Sequence, residues 1–282
     1  MSVDKLQKRI RKLKNPTIVD LTLTQADLPA ELIEQAGAFL PAYEQFCKKL
    51  LEALAEIVPA VRWDYSLFSA CGAEGLWALE RLLEIAKEYG YYVLLDGMDS
   101  ENPMAIDGAM DMPCDGLLLS PYLGSDHIKK YINRLSECEK SIFVTLRTPN
   151  RSASEIQDLM TGSRLVHQAA ADVLSRLGEP LAGKCGYTHI GGTGAANAPD
   201  SLRNLRTKYN RLFLLVDGYD YSNANAKNCS LAFDQFGHGA VICSGLGITA
   251  AWKEQGSGDY VQAAVEAAQK MQKNILRYIT IL

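Results

Sequence analysis

The chain has 282 residues, 48% hydrophobic and 22% charged, with a formal charge of −4 and a pI of about 5.7. This is the balance of a folded globular protein with a large core, and it excludes an intrinsically disordered chain. The slightly acidic charge gives no general footprint for nucleic acid or an anionic membrane, and no run reaches the roughly 20 apolar residues of a membrane span.

Residues 1–14, MSVDKLQKRIRKLK, carry six Lys or Arg. Val3, Leu6, Ile10 and Leu13 recur there at helical spacing, which predicts an amphipathic helix within residues 1–15 that packs on the body of the protein. No apolar stretch follows it, so it does not read as a secretory signal, and a cytoplasmic protein is expected. Apolar or β-branched runs then appear at 17–21, 60–68, 91–96, 116–120, 141–147, 186–192, 211–217 and 239–244. Several are continuous rather than alternating, as in parallel strands buried on both faces. Between them, helical periodicity predicts helices at 29–58, 73–89, 103–112, 126–138, 152–177, 198–209, 224–236 and 258–279. Ser125 with Asp126, and Ser152 with Glu155 three residues on, supply cap signals. Eight strand-helix units without a linker or a composition break predict one (β/α)8 TIM barrel over residues 1–282, with a doubly wound open sheet as the alternative.

A barrel carries its chemistry at the C-terminal ends of its strands. Those ends present Asp20 and Thr22, Arg62 and Asp64, Asp96 to Glu101, Ser120 and Tyr122, Arg147 to Asn150, His189 to Gly194, Asp217 to Tyr221, and Cys243 to Gly247. The mouth is predominantly acidic, and LLDGMDSEN (94–102) sets Met98 among Asp96, Asp99 and Glu101. Glu101 also reads as a helix-terminus carboxylate, and GGTG (191–194) as either a turn or an anion nest. Asp99, Asp217 and Asp220 could together face a divalent cation, without any ligand spacing to favour it. The seven cysteines are scattered without a CxxC pair and the four histidines without an HExxH, so reduced thiols and no metal site are expected.

The segment DGLLLSPYLGSDHIKKYI (115–132) resembles the strand 4 region of the longer-chain bacterial class of orotidine 5′-phosphate decarboxylases. SIFVTLRTPNRSASEIQDL (141–159) is similar to that family's strand 5 and following loop, with Arg147, Thr148, Asn150, Gln157 and Asp158 in the family's places. Residues 60–96 keep the spacing of its strand 2, helix 2 and strand 3, and GHGAVICSGLGITAAWK (237–253) resembles its strand 8. The resemblance covers nearly the whole chain. It implies the barrel, no cofactor, and a homodimer with its sites near the subunit interface.

The family's catalytic set is an alternating Lys-Asp-Lys-Asp array centred on Asp-x-Lys-x-x-Asp at the end of strand 3. Carried over residue by residue, its members become Arg62, Asp96, Met98 and Glu101. Asp96 would then either orient its own loop or keep a ribose-binding role, and Met98 would fill the space of a lysine stem. The resemblance implies ligand-binding positions at Thr22, Ser120, Tyr122, Arg147, Thr148, Asn150, Gly192, Thr193, Asp217, Gly218, Gly245 and Gly247. Leu246 stands at the place of the phosphate arginine, and DGYDYSNA (217–224) replaces a Gly-rich, Gln-containing loop. The expectation is a barrel with absent or greatly reduced decarboxylase activity. It would bind a small molecule, a nucleoside monophosphate or another ligand, as a homodimer or beside an active paralogue. An active decarboxylase of pyrimidine nucleotide synthesis with a rearranged site is the alternative, and a different barrel lyase or isomerase using a cation is a third reading.

Overall fold

A computed structural model describes residues 2–256 and 258–282. In chain order its elements are α1 (Ser2–Leu13), β1 (Thr17–Asp20), α2 (Ala30–Ala36), α3 (Phe39–Leu54), β2 (Ala60–Asp64), α4 (Tyr65–Ser69), α5 (Gly72–Glu88), β3 (Tyr92–Asp96), α6 (Pro103–Asp111), β4 (Gly116–Leu119), α7 (Gly124–Cys138) and β5 (Ser141–Val144). A small hairpin, β6 (Met160–Thr161) and β7 (Arg164–Leu165), leads to α8 (Val166–Gly178), β8 (Ile190–Ala195), α9 (Pro199–Lys208), β9 (Leu214–Asp217), α10 (Ala226–Ser230), β10 (Ala240–Ser244), α11 (Leu246–Thr249), α12 (Ala251–Gln255) and α13 (Tyr260–Ile275). Eight strands close a parallel barrel in the order β1-β10-β9-β8-β5-β4-β3-β2, with β1 paired to both β10 and β2. The fold is therefore the (β/α)8 barrel, and the open sheet is excluded.

The barrel separates two apolar regions. Side chains from the outer strand faces, such as Val19, Val61, Val93 and Leu117, pack with the surrounding helices. Inside lie Ile18, Tyr92, Leu94, Phe143, Phe213, Leu215 and Val241, and Val3, Leu6 and Ile10 of α1 join that cluster, fully buried. Each such aliphatic side chain contributes roughly 1.5–3 kcal/mol of burial free energy. The N-terminal helix thus closes the bottom of the barrel, which leaves the opposite, C-terminal end as the open mouth. Among the described residues no helix is long and apolar enough to cross a membrane.

Several predicted elements differ from the observed ones. The strand expected at 186–192 lies at Ile190–Ala195, a run rich in glycine that propensity alone would reject. Packing explains it: a Cβ on Gly191 would stand 2.5 Å from the Phe143 ring, and one on Gly192 2.5 Å from Leu146, so only glycine admits these neighbours. The helix expected at 152–177 is a 3-10 turn (Arg151–Glu155), the β6-β7 hairpin and then α8. Gly162, at φ +66, turns that hairpin, so Ser152 and Glu155 form no α-helical capping box. Gly37, at φ +77, ends α2 and divides the helix expected at 29–58. The helix expected at 224–236 shrinks to α10, and α7 starts at Gly124 without a side-chain cap from Ser125 or Asp126.

Candidate functional site

Parallel register brings the strand ends level. Asp20 of β1 pairs in register with Arg62 of β2, Asp64 of β2 with Asp96 of β3, and Ala195 of β8 with Asp217 of β9. Charged residues that are far apart in sequence thereby share one ring. The Arg62 guanidinium donates to Asp20 Oδ2 through Nε at 3.1 Å and NH2 at 2.5 Å, and to Asp217 Oδ1 through NH1 at 2.8 Å. All three side chains are no more than 18% exposed. Burial opposes the guanidinium's charge, but Asp217 and Asp20 outweigh it and hold the pKa well above its ordinary value. Burial pushes the Asp217 carboxyl up, with Arg62 countering. A charged group this enclosed and this well partnered is a fixed electrostatic element of the mouth, not a proton carrier.

Asp96 ends β3 and is followed by Gly97 at φ +79. A Cβ at Gly97 would stand 2.4 Å from Asp64 Oδ1, so this turn requires glycine. The Asp96 carboxylate accepts from the Gly97 N–H at 2.7 Å. Burial raises its pKa to about 6, against the lowering effect of Arg62. Because the folded state holds this proton more tightly than the unfolded chain, the group favours folding at low pH, and that advantage is lost as pH rises from about 4 to about 6. Asp96→Asn is therefore expected to stabilise the protein at pH 7 by up to about 3 kcal/mol, and by little below pH 4. Urea unfolding at the two pH values checks this, and an equal effect at both would refute it.

The ring borders a cavity of about 430 Å³ whose lining includes Asp20, Thr22, Arg62, Asp96, Thr145, Thr148, Thr193, Asp217, Gly218, Asp220, Gly245 and Leu246. Four carboxylates face one guanidinium, and among the described lining residues there is no lysine and no histidine. Cys243 also lines it, with burial pushing its thiol well up, so it is held protonated. One wall is filled by Asp220, which the sequence reading did not select as a ligand-binding residue. Its carboxylate accepts from Ser244 Oγ at 2.6 Å, the Gly245 N–H at 2.8 Å and the Gly247 N–H at 3.2 Å. Convergent donors of this kind bind an anion, and here the anion is the protein's own side chain.

Of the sequence-predicted positions, Thr22, Arg62, Asp96, Thr148, Thr193, Asp217, Gly218 and Gly245 meet at this cavity. The others do not. Glu101 is exposed and faces Lys130 at 3.9 Å. Met98 packs against the outer apolar core beneath the loop. Tyr122 is 66% exposed, and Ser120 forms a local turn whose N–H donates to Asp99 Oδ2 at 2.7 Å. Arg147 turns aside into a bidentate pair with Asp158, Nε and NH2 donating at 3.1 and 2.9 Å. Asn150 is exposed and bonds Thr148 and Ser152, Gly192 is buried against Leu146 and Leu212, and Gly247 serves Asp220. Asp99 is engaged by His127 Nε2 at 2.5 Å. Among the described residues no three His, Cys, Asp or Glu side chains are arranged to hold a metal ion, so the cation cluster of Asp99, Asp217 and Asp220 is not formed. Asp20 and Asp220 had a sequence signal, since both stand at strand ends. Their partners did not, because the contacts span 42 and 24 or more residues.

These features define a (β/α)8 barrel with a charged cavity at its C-terminal mouth, the position barrel enzymes use. The chain matches no family model. It is 27% identical over 284 residues to the orotidine 5′-phosphate decarboxylase of Clostridium novyi, with 98% of each chain covered. It is also 27% identical over 285 residues to that of Petrotoga mobilis, again with 98% of each covered. Two solved structures share the fold. An orotidine-monophosphate decarboxylase structure from Toxoplasma gondii superposes with a TM-score of 0.79 at 21% identity, covering 97% of this chain and 98% of that one. One from Plasmodium yoelii gives 0.81 at 15%, covering 98% of each. The chain is a full-length homologue of the orotidine 5′-phosphate decarboxylases.

Proposed function

We propose that this orotidine 5′-phosphate decarboxylase-like barrel lacks most or all decarboxylase activity and uses its mouth to bind a small ligand that has no phosphate group. The observation that carries the reading is the cavity's chemistry: four carboxylates, one locked guanidinium and no lysine or histidine among its described lining. Decarboxylation without a cofactor needs positive charge aimed at a developing carbanion and then a proton. Arg62 is held charged between two aspartates and is a poor acid. Met98, at the place the resemblance gives to the central lysine, is packed on apolar core and has no proton to deliver.

Phosphate affinity is the second deficit. Remote binding energy offsets the desolvation and strain of the reacting group. Here Leu246 stands where the resemblance puts an arginine, and the nearby Ser244, Gly245 and Gly247 donors are taken by Asp220. A mouth with a surplus of carboxylates repels a dianion. Hydroxyls of Thr22 and Thr145 and the Asp96 carboxylate suit a neutral or cationic polar ligand of nucleoside size. Turnover of orotidine 5′-phosphate by purified protein is the decisive test. The competing reading, an active decarboxylase, requires that turnover and its loss in Asp96→Ala.

The reading includes a homodimer. Tyr122, Leu123, Ile156, Leu159 and Met160, on the loops after β4 and β5, are 48–66% exposed and offer apolar surface for a second copy. Sedimentation velocity at micromolar concentration is expected to return about twice the 31.0 kDa chain mass, and a monomer would refute this part.

A further inference from the structure

Beside the mouth, and separate from it, lies a second cavity of about 510 Å³ between the start of α8 and the start of α9. Ser201 and His167 both line it. Ser201 Oγ is 3.2 Å from His167 Nε2. On the other side of the ring, His167 Nδ1 is 2.9 Å from the Gln157 carbonyl oxygen and 3.4 Å from Asp158 Oδ1. A carbonyl accepts only, so Nδ1 carries the hydrogen and Nε2 presents its lone pair to the serine hydroxyl. The imidazole is 1% exposed, and Asp158 is itself fixed by the two Arg147 contacts. A hydroxyl, a base held in the right tautomer by the Gln157 carbonyl, and a carboxylate 3.4 Å from the same ring nitrogen, where an imidazolium would form, are the parts of an activated nucleophile.

Two further features suit acyl chemistry. Ser201 is the third residue of α9, whose first turn has no side-chain cap because Ala198 precedes it. The first-turn N–H groups of Asp200 and Ser201 have no partner within the helix, and the oxyanion is assigned to them. The adjoining wall is apolar, from Leu165, Ala198 and Pro199, and the charged groups of the lining are paired, Asp200 with Arg203 at 3.0 Å and Arg147 with Asp158 at 2.9 Å, so an uncharged substrate fits best.

We propose that Ser201, His167 and Asp158 form a second active site that hydrolyses short, neutral carboxylic esters. Ser201 Oγ bonds to the acyl carbon as its proton passes to His167 Nε2. The bond to the alcohol oxygen breaks, and the departing alcohol takes that proton. Water then attacks the acyl-serine, gives a proton to Nε2, and the serine oxygen recovers it as the carboxylic acid leaves. Neither oxidant nor metal enters the balance.

The test uses the full chain. With p-nitrophenyl butyrate, one equivalent of nitrophenolate per chain is expected in a burst, and a fluorophosphonate probe should add a single label that peptide mass spectrometry maps to Ser201. Ser201→Ala should abolish both, and His167→Gln should slow acylation by at least about 10²-fold. Circular dichroism melts of the two variants separate lost chemistry from lost fold. The labelling of the unaltered protein decides independently of any variant. No label, or a label on another residue, overturns the proposal, as does a burst that survives in folded Ser201→Ala.

Discussion

Purified protein given orotidine 5′-phosphate is expected to release carbon dioxide at least about 10⁴-fold more slowly than the Clostridium novyi decarboxylase assayed beside it. The magnitude follows from two separate shortfalls. A positioned general acid contributes roughly 10²–10⁴ in rate, and a preorganised electrostatic partner for the developing charge a further 10²–10³ or so. Neither has a visible source in the cavity, whose described cation is Arg62, bound on both sides by Asp20 and Asp217. Adding an ammonium alone should not repair this. Met98→Lys is expected to stay within about tenfold of the unaltered protein, because substrate would still meet a surplus of carboxylates and a nest filled by Asp220. Turnover comparable to the relative's, lost in Asp96→Ala, would sink the proposed function and establish the competing one.

The barrel was legible because its signal is redundant. Continuous apolar runs such as YYVLLD and RLFLLVD need burial on both faces, and eight of them alternating with helical segments leave few architectures. The failures came where a single tertiary contact outweighed a local signal. β8 is shifted because Phe143 and Leu146 demand glycines at 191 and 192, which no reading of residues 186–192 alone could supply. The segment 152–177 had helical spacing, yet Gly162 at positive φ turns a hairpin within it, and Met160 of that hairpin stays exposed together with Ile156 and Leu159 before it.

At the site, the strand-end rule found which residues reach the mouth but not how they are used. Arg62 was identified by its place on β2, whereas its bond to Asp217, 155 residues away, depends on closure of the barrel. The resemblance sent Arg147 to the ligand, and the structure sends it to Asp158, because the 3-10 turn after β5 brings that carboxylate within 3.1 Å of its Nε. Asp220 stands at a strand end and reads in the sequence only as a possible cation ligand, not as the occupant of an anion nest. It lies in a polar loop of ordinary turn composition, and its role exists only because the Gly245 and Gly247 N–H groups point to it across the end of β10.

Removing Asp220 should expose those donors and reverse the mouth's preference. Asp220→Ala leaves Ser244 Oγ and two backbone N–H groups without their carboxylate. Water can replace part of what is lost at this exposed position, so the expected stability cost is only about 1 kcal/mol. The larger effect is on ligand choice. An inorganic phosphate or uridine 5′-phosphate can take the vacated place, and one of the four carboxylates opposing it has gone. At least a tenfold gain in phosphate affinity, ~1.4 kcal/mol, is expected by calorimetry. Added phosphate should then raise the Tm of the variant by several degrees while leaving the unaltered protein within about one degree, since only a ligand that binds the native state stabilises it. Asp220→Asn should fall between the two, because its amide oxygen still accepts from the glycine N–H groups without the charge. If the unaltered protein binds phosphate as tightly as Asp220→Ala, the carboxylate does not occupy an anion site, and a phosphate-bearing ligand returns as the better reading of the mouth.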